Sequence, residues 1–264
     1  MKARLLMIIG LTIVALALLL GLTIGRKKNT NGETLKTENV DSTQIADRVL
    51  NLIILDESGS MSGLEKVSVD GVNETIQTIK TSYEQLPEQE QLLTFVTFSD
   101  MGESFCRTKL KLAPISQVNE FKPSDYQPNG CTPLYDTMGL TLTELEESAT
   151  DSDIVLVTII TDGHENSSRR YDADKIKELI KRLDEKDWVF TYIGANQDAI
   201  LEAGKIGINN AMNYSADEEG TREMWEKERN SRTYLMQRAR GGVPKSRLKS
   251  DYFTNEEKDT RNDK

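Results

Sequence analysis

The chain has 264 residues, with 33 Lys and Arg against 43 Asp and Glu, a length that suits one α/β domain with extensions. Its formal net charge of −10 argues against a nucleic-acid binder, because phosphate affinity comes mainly from Lys and Arg clusters. Two cysteines without a CxxC pair, and a single histidine (His164), argue against a disulfide scaffold, a structural zinc site or a His-based metal centre.

The charge is unevenly spread. Residues 1–28 hold five bases and no acid, so the remainder carries 28 bases against 43 acids. Leu5 to Gly25 is a run of 21 uncharged residues stopped by Arg26-Lys27-Lys28. About 20 apolar residues span a bilayer core as a helix. A cleaved signal peptide would have a shorter apolar region ending in a small-x-small site, and here Ala15-Leu16-Ala17 runs on into leucine. We therefore expect a single-pass, uncleaved signal-anchor over 1–28. Its very short N-terminal tail would stay inside the cell and place the main domain outside the cytoplasm. Residues 29–46 are polar, without hydrophobic periodicity, and read as a tether.

Beyond the tether, strands and helices alternate. Val49 to Leu55 is a short apolar run ending in an acid, as expected of a strand buried on both faces. Val69, Val72, Ile76, Ile79, Tyr83 and Leu86 then form one helical stripe, stopped at Pro87. Leu92–Phe98 is a second strand, and Phe105–Leu112 alternates as a hairpin-paired edge strand. A helix follows Pro133, with Leu134, Met138, Leu142 and Leu145 inward. Ile154–Ile160 reads as a central strand, and Ile176, Leu179, Ile180 and Leu183 mark another helix. Trp188–Ile193 is a strand, Ala199–Ile206 a short helix, and Met212–Tyr214 a last weak strand. Together these predict a doubly wound α/β domain over 47–217, mostly parallel with one antiparallel edge strand. A separate C-terminal helix is expected over 218–240, docked by Trp225 and Tyr234, and a disordered tail over 241–264. The basic run from Arg238 to Lys249 reads as solvated.

In such a sheet, ligands bind at the carboxyl ends of the strands. The first strand ends in Asp56-Glu57-Ser58-Gly59-Ser60, the central one in Thr161-Asp162-Gly163, and Gly130-Cys131-Thr132-Pro133 precedes a helix. Asp56, Ser58, Ser60, Thr132 and Asp162 supply short oxygen side chains, which are ligands for a hard cation, Mg²⁺, Mn²⁺ or Ca²⁺. Alternate residues of an extended turn point the same way, so the first three oxygens converge while Glu57 and Gly59 face elsewhere. Gly59 would let the backbone turn tightly. Two carboxylates roughly neutralise a dication, and an open coordination position would attract an acidic side chain from a partner. Glu57, Asp136 and Glu165 are placed either as acceptors behind the ligands or as surface and capping groups. His164 reads as a solvated loop residue. Cys106 and Cys131 lie at one end of the sheet, where a bridge is the less expected outcome.

The set Asp56-x-Ser58-x-Ser60, Thr132 and Asp162 resembles the metal-ion-dependent adhesion site of bacterial von Willebrand factor A (VWA) domains, and the words DESGSM, TPLYD and TDG fit as well. The resemblance covers about residues 47–217, with all five positions in order on three loops. It implies a sheet order of 3-2-1-4-5 with an antiparallel third strand. It also implies direct metal bonds from Ser58 and Ser60, with Thr132 and both aspartates bonding directly or through water. Cys131 departs from the small residue usual there. The implied function is a membrane-anchored module that captures an acidic residue of a protein partner through its metal. The alternatives are a cytoplasm-facing regulatory subunit of a larger complex and, below both, a metal-dependent hydrolase. A haloacid-dehalogenase site would need a carboxylate at position 58, and neither a GxxxxGK[ST] nor a GxSxG motif is present, so no enzymatic activity is expected.

Overall fold

A computed structural model describes residues 48–253, apart from 102–103, 196–198 and 251. The expected membrane segment, the tether and residues 254–264 lie outside the described residues. No helix among the described residues is long and apolar enough to cross a membrane.

Six strands form one sheet: β1 (Arg48–Asp56), β2 (Glu90–Phe98), β3 (Cys106–Pro114), β4 (Ile154–Thr161), β5 (Val189–Ala195) and β6 (Asn210–Tyr214). Their order is β3-β2-β1-β4-β5-β6, with only β3 antiparallel to its neighbour. The expected order is present, and the weak strand near Met212 extends it at the far edge. Because side chains alternate along a strand, β1 feeds both layers. Leu50, Leu52 and Ile54 meet helices α2 (Leu134–Ser148), α3 (Ala173–Asp184) and α4 (Ala199–Lys205). Ile53 and Leu55 meet α1 (Glu65–Gln85) and α5 (Glu218–Arg240) on the other face.

The helix expected after residue 217 docks on the sheet through one of its two expected residues: Met224 and Trp225 of α5 share a core cluster with β1 and α1. Trp225 is 1% exposed, whereas Tyr234, the other expected docking residue, is 40% exposed beneath the Arg238 guanidinium. The tail, expected to be disordered over 241–264, is packed as far as it is described. A short helix α6 (Lys245–Leu248) follows, with Leu248 and Tyr252 buried against Val49 and Leu156. The basic run is also tied down, since Lys249 pairs with Asp184 at 3.0 Å and Lys245 donates to the Asp151 carbonyl. Charge alone suggested solvation, but these cations have carboxylate and carbonyl partners on the loops below the sheet.

Polar side chains fix how α5 lies. The Arg232 guanidinium, fully buried, donates to Asn51 Oδ1 (2.7 Å), Thr158 Oγ1 (3.0 Å) and Glu228 Oε1 (2.7 Å). The Tyr252 hydroxyl reaches the same Glu228 oxygen at 3.2 Å. A buried ion pair relies on further hydrogen bonds; here they gather on Glu228 Oε1, while Glu228 Oε2 has no partner. Between α1 and α5 the approach is so close that a methyl at Gly71 would overlap the Trp225 indole.

Gly71→Ala is therefore expected to destabilise the domain by about 1–3 kcal/mol through overpacking. Helix propensity alone has the opposite sign, favouring Ala by about 0.5–1 kcal/mol. Denaturant unfolding of the two proteins decides between packing and propensity.

Candidate metal centre

The three loops singled out in the sequence meet at the carboxyl ends of β1 and β4, which are paired in parallel up to Leu55 and Ile160. After Asp56 the chain enters a single 3-10 turn, Gly59–Met61. Gly59 has no left-handed conformation; its N–H instead donates to the Gly130 carbonyl at 3.0 Å, joining the first loop to the second. The left-handed glycines of these loops are Gly63, at φ +92 before α1, and Gly130, at φ +79 just before the Thr132 segment.

The expected ligands are brought together. Ser58 Oγ lies 3.2 Å from Ser60 Oγ, and Ser60 Oγ donates to Asp162 Oδ1 at 2.6 Å. A Cβ placed on Gly163 would sit 3.2 Å from Thr132 Oγ1, 3.5 Å from Ser60 Oγ and 4.0 Å from Asp56 Oδ2. Three oxygens from two loops thus surround one point on the third, and only glycine keeps that point free. Asp56, Ser58, Thr132 and Asp162 are buried, while Ser60 is exposed at the mouth.

The electrostatics are unfavourable as they stand. Burial pushes the Asp56 carboxyl up to about 6, with the Asp162 charge adding to the rise and bonds from Thr161 and Ser58 opposing it. Burial likewise raises Asp162, opposed by Ser60. No basic side chain pairs with either among the described residues, and Asp162 Oδ2 is buried without a hydrogen-bond partner. An unpartnered buried carboxylate oxygen costs free energy unless a cation or donor meets it. A hard dication fits these groups, which are all oxygens. Among the described residues, no three His, Cys, Asp or Glu side chains gather as a metal cluster, so any ion here depends on hydroxyls as well as carboxylates.

The acids of uncertain role act on the loops that carry the ligands. Glu57 accepts from Arg107 (2.9 Å) and from the Gln127 N–H (2.6 Å). Glu165 accepts from the N–H groups of Tyr135, Ser167 and Ser168, and Asp136 from those of Arg169, Arg170 and Tyr171. Sequence reading missed two further residues. Thr161 Oγ1 donates to Asp56 Oδ2 at 2.5 Å, and Asn166 clamps Thr132 from both sides. In that clamp the Thr132 N–H donates to Asn166 Oδ1 at 2.8 Å, and the Asn166 N–H donates to the Thr132 carbonyl at 3.2 Å. Thr161 directly precedes the aspartate, where a hydroxyl signal was visible; Asn166 had none. His164 is exposed and lies 3.8 Å from Glu202. Cys106 and Cys131 are both free thiols.

No family model and no curated protein matches the chain. Solved structures do match, at low identity. The pilus adhesin SpaC from Lactobacillus rhamnosus GG, in its open conformation, is 12% identical with a TM-score of 0.55, over 72% of this chain and 30% of that one. Proximal thread matrix protein 1 from the mussel byssus is 15% identical with a TM-score of 0.50, over 69% of this chain and 45% of that one. The SpRpn10 VWA domain is 11% identical with a TM-score of 0.48, over 67% of this chain and 93% of that one. This chain therefore spans less than half of the adhesin and of the byssus protein. What is shared with the adhesin and the byssus protein is the fold, a mostly parallel α/β sheet with one antiparallel strand.

Proposed function

We propose that this chain is a binding module, not an enzyme. It holds a divalent cation, Mg²⁺ or else Mn²⁺ or Ca²⁺, through Asp56, Ser58, Ser60, Thr132 and Asp162, and uses it to capture an acidic side chain of a protein partner. The observation that carries this reading is the convergence of hydroxyl and carboxylate oxygens around Gly163, beside a buried Asp162 oxygen that nothing else satisfies. Two carboxylates balance the dication, and the hydroxyls add donors without charge. The ion thus keeps its attraction for an incoming carboxylate. In this reading the N-terminal apolar segment anchors the module in the membrane, with the domain outside the cytoplasm. A pilus adhesin has the same fold, and protein capture is the use proposed for it here.

Mg²⁺ at about 100 times its dissociation constant should stabilise the protein by about 2.7 kcal/mol, and EDTA should remove that gain. For a domain of this size that corresponds to roughly 5–10 °C in melting temperature. Gly163→Ala retains all five ligands but crowds the point they surround, so its melting temperature should no longer respond to Mg²⁺. Asn166→Ala should weaken Mg²⁺ binding by about 10–100-fold, measured by titration calorimetry. Identical melting of the unaltered protein in Mg²⁺ and in EDTA would remove the basis of the proposal.

Membrane orientation has its own test. Cys131 is exposed, and its thiol is raised by the neighbouring Asp100 carboxylate, whereas burial pushes the Cys106 thiol up to about 11. An impermeant maleimide at mildly alkaline pH should label Cys131 in intact cells ahead of Cys106. Labelling only after lysis would place the domain inside.

A further inference from the structure

A groove of about 890 Å³ opens beside the ligand cluster, between β3 and the 115–131 loop. It exists because β3 is the edge strand and a loop, not a helix, covers its outer face. That loop is held in place: Asn73 of α1 donates to the Phe121 carbonyl at 2.9 Å and accepts from the Phe121 N–H at 2.8 Å. The groove and the ligand cluster share a residue. Glu57 sits between Asp56 and Ser58 in the first loop, lines the groove, and binds Arg107 and Gln127 of its walls. Met101, 46% exposed, stands in the same wall.

The charges along the groove are specific. Arg107 is neutralised by Glu57. Lys109 donates only to the Asp125 carbonyl, at 2.7 Å, and has no carboxylate partner among the described residues. Glu120 and Asp125 also line the groove, so an anion is favoured at Lys109 and not throughout. Lys109 lies three residues along β3 from Cys106, which pairs with Phe98 at the metal-facing end. Three residues at about 3.3 Å each are roughly 10 Å along the strand, and β3 lies two strands, about another 10 Å, to the side of β1. The separation is then roughly 14 Å, the reach of about four residues of extended chain.

We propose that this groove receives an extended segment of the protein partner. One acidic residue of the segment meets the metal, and a second, about four residues further along, meets Lys109. This rests on the metal-capture reading above and adds the partner's shape and charge spacing to it.

The test uses the full-length chain in detergent with Mg²⁺, and displayed short peptides carrying one fixed glutamate, released with EDTA. The expected outcome is enrichment of a second acid about four residues from the fixed one. Lys109→Glu should weaken those peptides by at least about tenfold, equivalent to about 1.4 kcal/mol. Selection on Lys109→Glu should enrich Lys or Arg at that second position instead. Lys109→Met, which keeps the aliphatic stem, should show a smaller loss, and both variants should retain the Mg²⁺-dependent melting shift. EDTA-released peptides with no second acid, or with unchanged affinity for Lys109→Glu, would overturn the groove while leaving metal capture standing. No EDTA-released peptides at all would overturn both.

Discussion

Two buried carboxylates with no basic partner set the terms for this molecule. Asp56 and Asp162 end adjacent parallel strands, and that pairing makes their proximity unavoidable. A protein normally buries a carboxylate only beside a cation or a full set of donors. Here the donors are Thr161 and the Ser58 N–H for Asp56, and Ser60 for Asp162, which leaves one buried oxygen unanswered. The surrounding architecture holds this unfavourable pair in place. Gly59 and Gly130 tie the first two loops together, Asn166 ties the second to the third, and Asp136 and Glu165 strap the third onto the start of α2.

Much of this arrangement can be read from the order of residues. Runs such as Val49–Leu55 and Ile154–Ile160 are apolar on both sides, and only a covered parallel sheet accommodates that. An acid at the end of each run then lies at the edge where such sheets bind ligands. The spacing of Asp56 and Ser58 follows from extended backbone with its period of two, whereas Ser60 lies in the 3-10 turn Gly59–Met61, which carries its hydroxyl to within 3.2 Å of Ser58 Oγ. Gly59 is not the turning glycine that its place suggests: it contributes an N–H that any residue but proline could supply, and the left-handed positions are Gly63 and Gly130.

What was not legible depends on partners distant in sequence. Asn51 interrupts the apolar run of β1, and its reason is Arg232, 181 residues later. Likewise, α5 has polar and charged residues on most of its surface, and only Trp225 and Tyr234 mark it as a docking helix. Its buried face, though, pairs Arg232 with Glu228 and slots Trp225 onto Gly71. The basic segment after it was assigned to solvent by composition, whereas individual carbonyls and Asp184 hold it. Local pattern identifies elements well because it reflects which face is buried. It says little about a helix whose buried contacts are ionic.

The proposed chemistry follows from a ligand set with few charges. Additional carboxylates would bind a dication more tightly but would neutralise it beyond balance, and an incoming acid would then meet net negative charge. Hydroxyls from Ser58, Ser60 and Thr132 complete the set without that penalty. The consequence is that the protein without its ion retains an unfavourable buried pair. Stability and partner binding are then linked through the same atoms, since any change that relieves Asp56 and Asp162 in the absence of metal also weakens the reason to hold it.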